Sequence, residues 1–201
     1  LVGVGPAHAS RALRDRLARG PLPTRIVSSG FAGALSGDIP LGAWIEAASL
    51  FAWEGSCVLV VSLSSLRLDS ALACVPCDVI SADHLVRCES PLPRFASGRP
   101  LAVDMESAAL AREAGARGIA FSVVRLVSDT PERPLPRFVA PFTAAIAGSG
   151  PRSRAALVAR GVASAIAAPF TVARFVYEGR VWTTMLRDGW TALGRRLGEV
   201  S

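Results

Sequence analysis

Residues 103–131 read VDMESAALAREAGARGIAFSVVRLVSDTP. Asp104 can accept hydrogen bonds from the free N–H groups of a first helical turn, and alanines dominate the residues after it, so the stretch predicts a helix from Asp104 to about Ala114. Gly115 and Gly118 stop it. The hydrophobic strand Ile119–Val127 comes directly after. A helix delivered straight into a buried strand is the repeating unit of an α/β sheet, and the other segments can be assigned around it.

Toward the N-terminus, residues 7–20 have helical composition with arginines on one face. Pro21 to Pro23 end that helix before a strand at Arg25–Ser28. The apolar runs Cys57–Leu63 and Cys77–Ile80 read as further buried strands, while Leu41–Trp53 fits strand or helix. The expected fold is therefore α/β, with a central mixed, largely parallel twisted sheet flanked by helices over residues 1–150. A helical, amphipathic C-terminal extension, residues 151–201, is expected to pack on it. In such sheets ligands sit beyond the carboxyl ends of the strands, and the acidic motifs around Glu106 and Asp129 both fall at such ends. The opening Leu1-Val2-Gly3-Val4-Gly5-Pro6 reads as the end of a strand and a glycine turn, so an earlier strand is expected upstream.

The composition narrows the classes. Half of the 201 residues are apolar and 19% are charged, which suits a buried core and excludes a disordered chain. The net charge is +6, and all 22 basic residues are arginine. They are spread along the chain without a basic block or aromatic interleaving, which argues against nucleic-acid binding. Apolar runs such as Val158–Val172 are interrupted by Arg160, Ser164 and Pro169, so no segment reads as a membrane span. With four cysteines and no recognisable leader, the expected setting is reducing and cytoplasmic. Cys74-Val-Pro-Cys77 lacks the second pair a zinc site needs and reads as buried thiols.

Three segments carry residue types suited to chemistry. Ser28 to Leu35, with Gly30-Phe31-Ala32-Gly33 at its centre, is a small-residue turn whose backbone amides could approach a sugar or an anion. It could equally be an ordinary turn after a strand. In Asp104-Met105-Glu106, a carboxylate can accept two hydrogen bonds from a vicinal diol such as the ribose hydroxyls, above a soft apolar wall from Met105. The same carboxylates could simply cap the helix, and for Asp104 capping is the stronger reading. In Arg125 to Pro131, Asp129 sits at the exit of a hydrophobic strand. A purine leaves readily only once its ring nitrogen is protonated, so a partly buried acid with a raised pKa is needed there; a turn aspartate before proline is the competing reading.

Gly30-Phe31-Ala32-Gly33, then Met105-Glu106, then Arg125 to Asp129, in this order, resemble the signature segments of the nucleoside phosphorylase and nucleosidase superfamily. Ile80 to Leu85 resembles its base-contacting strand end, with Leu85 where an aromatic often packs on the base. The resemblance implies that Glu106 binds the ribose hydroxyls and Met105 lines the sugar. It also implies that Asp129, positioned by Ser128, protonates the purine of an adenosine-type nucleoside. Gly30, Phe31, Ala32, Gly33 and Leu85 complete the substrate site. No metal or cofactor is implied beyond phosphate as a co-substrate, and a homo-oligomer is expected. Ser28 and Phe31 stand where many of the phosphorylases carry an arginine and a serine for phosphate, which favours hydrolysis over phosphorolysis. Ala34 replaces an expected second glycine, and the general base has no counterpart. The opening residues, the Val103 to Ser107 wording and the segment after Pro134-Leu135-Pro136 are most similar to hopanoid-associated phosphorylases. These are linked to removal of adenine from adenosylhopane. With such a substrate, the arginine-rich, tryptophan-bearing tail implies a peripheral contact with the inner membrane, against the alternative that it packs on the domain or a partner subunit. A catalytically weak homologue that binds a nucleoside or lipid-linked ligand is the reading from another functional class.

Overall fold

A computed structural model of the chain describes residues 5–53, 57–63, 66, 72–86, 98–147 and 151–198. The expected turn at 1–4 lies outside these. The elements are α1 (Pro6–Leu17), β1 (Arg25–Ala34), β2 (Trp44–Trp53), β3 (Cys57–Ser62), β4 (Cys74–Ser81) and β5 (Leu101–Asp104). They are followed by α2 (Ser107–Gly115), β6 (Ala120–Asp129), α3 (Val139–Ala147), α4 (Pro151–Ile166) and α5 (Pro169–Gly198).

The six strands form one mixed sheet in the order β3-β2-β4-β5-β1-β6. Its long ladders, β1 with β6 and β2 with β4, are parallel. β2 also pairs antiparallel with β6 through Trp44–Leu126, Ile45–Arg125 and Glu46–Val124, so β2, β4, β5, β1 and β6 close into a ring with β3 on its outside. Ile45, Leu50, Val79, Ala102, Val123 and Val127 fill the core together with Leu13 and Leu17 of α1 and Leu110 and Ala114 of α2. α5 returns along the sheet, where Leu193 packs on Val124 and Trp44. Gly189 allows the approach, since a Cβ there would stand 2.1 Å from the Trp44 ring.

One local reading is decided and two are corrected. The region 41–53, open between strand and helix, contains the strand β2. β1 does not end at Ser28: Ser29 to Ala34 continue the strand beside β6 instead of forming a turn. These residues are small because of what faces them. A Cβ on Gly30 would lie 3.6 Å from the Arg125 guanidinium, and one on Gly33 would lie 2.7 Å from the Asp129 carboxylate. The helix expected from Asp104 begins at Ser107, because Asp104 completes β5 and accepts the Ser107 N–H at 3.3 Å from the strand end. At the other end Gly118, at φ 66°, lets the Ile119 N–H return to the Ala114 carbonyl. Of the two paired cysteines only Cys77 is buried, and burial, aided by Asp78 and Cys74, pushes its thiol up to about 12, so it stays protonated at neutral pH. Among the described residues no cluster of His, Cys, Asp and Glu could hold a metal ion.

Candidate active site

The short β5 runs antiparallel to β1 and pairs only with its last residues, Gly33 and Ala34, while β6 runs parallel to β1 and pairs Asp129 with Gly33, so the ends of β5 and β6 lie side by side although the two strands run in opposite directions. A cavity of about 140 Å³ is lined by Phe31, Ala32, Gly33, Leu85, Val86, Val103, Asp104, Met105, Glu106, Ser128, Asp129 and Leu135. Eight of the nine residues singled out from sequence are in this lining; Gly30 is not, and its Cα faces Arg125.

Ser128 and Asp129 both reach the cavity because the ladder slips there. Ala32 pairs with Val127, whereas Gly33 pairs with Asp129, so Ser128 is the extra residue of a β-bulge. In a regular strand two consecutive side chains point to opposite faces; the bulge turns both toward one space. The Ser128 hydroxyl donates to Asp129 Oδ1 at 2.8 Å and fixes the orientation of that carboxyl. Asp129 is buried. The close approach of Gly33 to Asp129 makes this glycine a steric requirement. Gly33→Ala is expected to push the carboxylate out of place and lower activity by about 10²-fold with a smaller effect on stability, as kinetics beside thermal melting would show.

Glu106 lies between β5 and α2, and the N–H of Gly5 donates to its Oε1 at 2.8 Å. Gly5 is able to do this because it adopts φ 89° immediately before α1. Burial raises the Glu106 carboxyl above its ordinary pKa, Asp104 adds to the rise, and the Gly5 N–H and Arg125 oppose it. Gly5 has no place among the site residues inferred from sequence, although a glycine directly before a helix-opening proline signals a special backbone conformation.

Behind the cavity wall lies a buried ion pair that was also not anticipated. Arg125, 2% exposed, donates through Nε to Asp104 Oδ2 at 2.9 Å, and its Nη2 lies 2.8 Å from the same oxygen in an ion pair. Its Nη2 also donates to the hydroxyls of Ser28 at 2.9 Å and Ser107 at 2.6 Å, and Ser107 in turn donates to Asp104. One guanidinium thereby joins β1, β5, α2 and β6 directly under Glu106. The available signal was a lone arginine within an apolar strand, which demands a buried carboxylate.

A second cavity, of about 310 Å³, shares Phe31, Ser128 and Leu135 with the first. It is predominantly apolar, with Leu41, Pro134, Pro136, Phe175 and Trp182 in its walls, and α5 forms one side. Phe175 meets Phe138 edge to face at 5.4 Å. Arg133, in the loop after Asp129, donates to Glu178 of α5 at 2.9 Å and ties the helix to that loop.

No family model and no curated protein sequence matches the chain. Solved structures do. The Helicobacter pylori 5′-methylthioadenosine/S-adenosylhomocysteine nucleosidase in complex with a substituted pyrrolidinol superposes at TM-score 0.50 and 21% identity, over 63% of each chain. A putative nucleosidase of the same kind from Borrelia burgdorferi, bound to adenine, gives 0.52 and 21%, over 65% of this chain and 66% of the other. A putative methylthioadenosine nucleosidase from Weissella paramesenteroides gives 0.51 and 15%, over 86% and 78%. The matches thus span just under two thirds of the Helicobacter and Borrelia chains. The chain has the fold shared by these nucleosidases.

Proposed function

We propose that the chain cleaves the N-glycosidic bond between ribose and purine in an adenosine-type compound. The observation that carries this reading is the single cavity in which Asp129, Ser128, Glu106, Met105 and Phe31 to Gly33 converge from three separate stretches of sequence. Asp129 donates a proton to a purine ring nitrogen, the C1′–N bond breaks with its electron pair on the base, and the sugar departs as an oxocarbenium-like species. Glu106 holds the ribose hydroxyls. The Gly5 N–H, donating to Oε1, helps hold that carboxylate in place for the sugar. Water, or phosphate as a co-substrate, captures C1′. Water is favoured because Ser28 and Phe31 stand where phosphate ligands would be needed, and Ser28 is committed to Arg125. The proposed reaction needs no metal.

The adjoining apolar cavity supports a substrate with a large apolar substituent, of which adenosylhopane in hopanoid biosynthesis is the proposed case. This reading places the enzyme in the cytoplasm, as a homo-oligomer, with the C-terminal extension near the inner membrane where such a substrate resides. Adenine release from adenosylated hopanoid, adenosine and methylthioadenosine, with and without phosphate, tests the proposal. No release from any of them, with binding retained, would leave a nucleoside-binding protein instead.

The raised Glu106 carboxyl gives a pH prediction. As pH falls, Glu106 takes up its proton earlier than an ordinary glutamate, so the ionised form that accepts the ribose hydroxyls is lost first. KM is therefore expected to climb on the acid side, beginning above the usual glutamate range, while Glu106→Gln has a high KM that no longer responds to pH there. An equally steep acid limb in Glu106→Gln would assign it to another group.

A further inference from the structure

Residues 151–201 carry eight arginines against three acidic residues, which is five of the six net positive charges of the whole chain. On α4 the side chains of Ala155, Val158, Ala159, Val162, Ala163 and Ile166 form an apolar stripe at 3.6 residues per turn, with the exposed Arg154 and Arg160 at its two edges. Val158, Val162 and Ile166 are its exposed large members. α4 and α5 meet at a bend of 103°. The corner carries the two most exposed large apolar side chains among the described residues, Ile166 at 74% and Phe170 at 90%. Past it, Tyr177 and Val181 are exposed on the Phe170 side of α5, with the exposed Arg174 and Arg180 beside them. Of the two tryptophans of the tail, Trp182 lines the larger cavity, whereas Trp190 is exposed farther along α5.

We propose that the α4–α5 corner docks on an anionic lipid surface, with Ile166 and Phe170 inserted at the boundary between headgroups and acyl chains. The flanking arginines would meet the lipid phosphates. Charge decides between occupants. A second copy packed on the same stripe would bring Arg154 and Arg160 of both copies together around an apolar centre, whereas an anionic surface neutralises them. Among the described residues no single helix is long and apolar enough to cross a membrane, while α4 and α5 taken together are, by length and composition, as a pair bent by 103°. The proposal deepens the reading above, which sets the C-terminal extension near the inner membrane, and its test does not depend on the reaction.

The test is sedimentation of the full chain with vesicles of phosphatidylcholine alone and of phosphatidylcholine with phosphatidylglycerol. Binding is expected only to the second kind and to weaken with salt. Phe170→Ser should weaken it by about tenfold, and Arg154→Gln and Arg160→Gln by about fivefold each. Leu22→Ser, which removes an exposed leucine far along the chain, should leave it unchanged. All four side chains are exposed, so folding is not at stake. Equal binding to both vesicle types, no binding, or equal loss in Leu22→Ser would overturn the proposal. So would a concentration-dependent dimer that Phe170→Ser dissociates, which would assign the corner to a second copy.

Discussion

Asp129→Asn is expected to slow adenine release by about 10²- to 10⁴-fold, the range over which a positioned general acid acts. The substitution keeps the size and shape of the side chain. An amide has nearly the shape of the carboxyl, its oxygen can still accept the Ser128 hydroxyl now 2.8 Å from Oδ1, and Gly33 leaves room for it. It has no acidic proton to give to the leaving base. The loss should therefore appear in kcat with KM nearly unchanged, and in the same proportion with adenosine and with a lipid-linked substrate. A variant that retains activity to within a few-fold would show that the base departs without help from Asp129. The acid role would then pass to solvent or to another cavity group.

The second large effect is on stability. Arg125→Met is expected to cost about 3–5 kcal/mol, read as a lowered urea midpoint with an unchanged slope. The reason lies in the groups left without their partner: Asp104, 5% exposed, would keep only its hydrogen bonds from Ser107, and the Ser28 hydroxyl would lose its donor. Arg125→Lys should recover only part of this. A lysine cannot reach Asp104, Ser28 and Ser107 at once with the planar fork that Nε and Nη2 supply. Removing both charges, in Arg125→Met with Asp104→Leu, should be better tolerated than Arg125→Met alone. Comparable losses in the single and double variants would mean that the packing of Arg125, and not its charge, is what matters.

The stretch from Val103 to Asp129 was legible because local rules and tertiary structure agree along it. An acid that accepts the Ser107 N–H from the end of β5, alanines, a left-handed glycine and an apolar run each appear where the fold uses them. β1 beyond Ser28 was not legible, since a run of glycine and alanine looks like a turn until one sees that Arg125 and Asp129 lie across from it. The cavity residues Phe31, Met105, Glu106, Ser128 and Asp129 could be read because their chemistry is specific and they stand at strand ends. Gly5, whose contribution is a backbone N–H, and the apolar cavity beside α5, which is made by packing between distant segments, carry no such local signal.

The closure of the sheet by β2 and β6 also has a kinetic consequence. Trp44 to Glu46 must find Val124 to Leu126, and Arg25 to Gly33 must find Ala120 to Asp129, so the ring is completed only by contacts between residues far apart in sequence. Contacts of that range slow folding, because the intervening chain must be ordered before they can reward it. During synthesis, β1 and β2 would wait with unpaired backbone edges until β6 leaves the ribosome. A chain truncated before residue 120 would keep those edges open and would be prone to self-association.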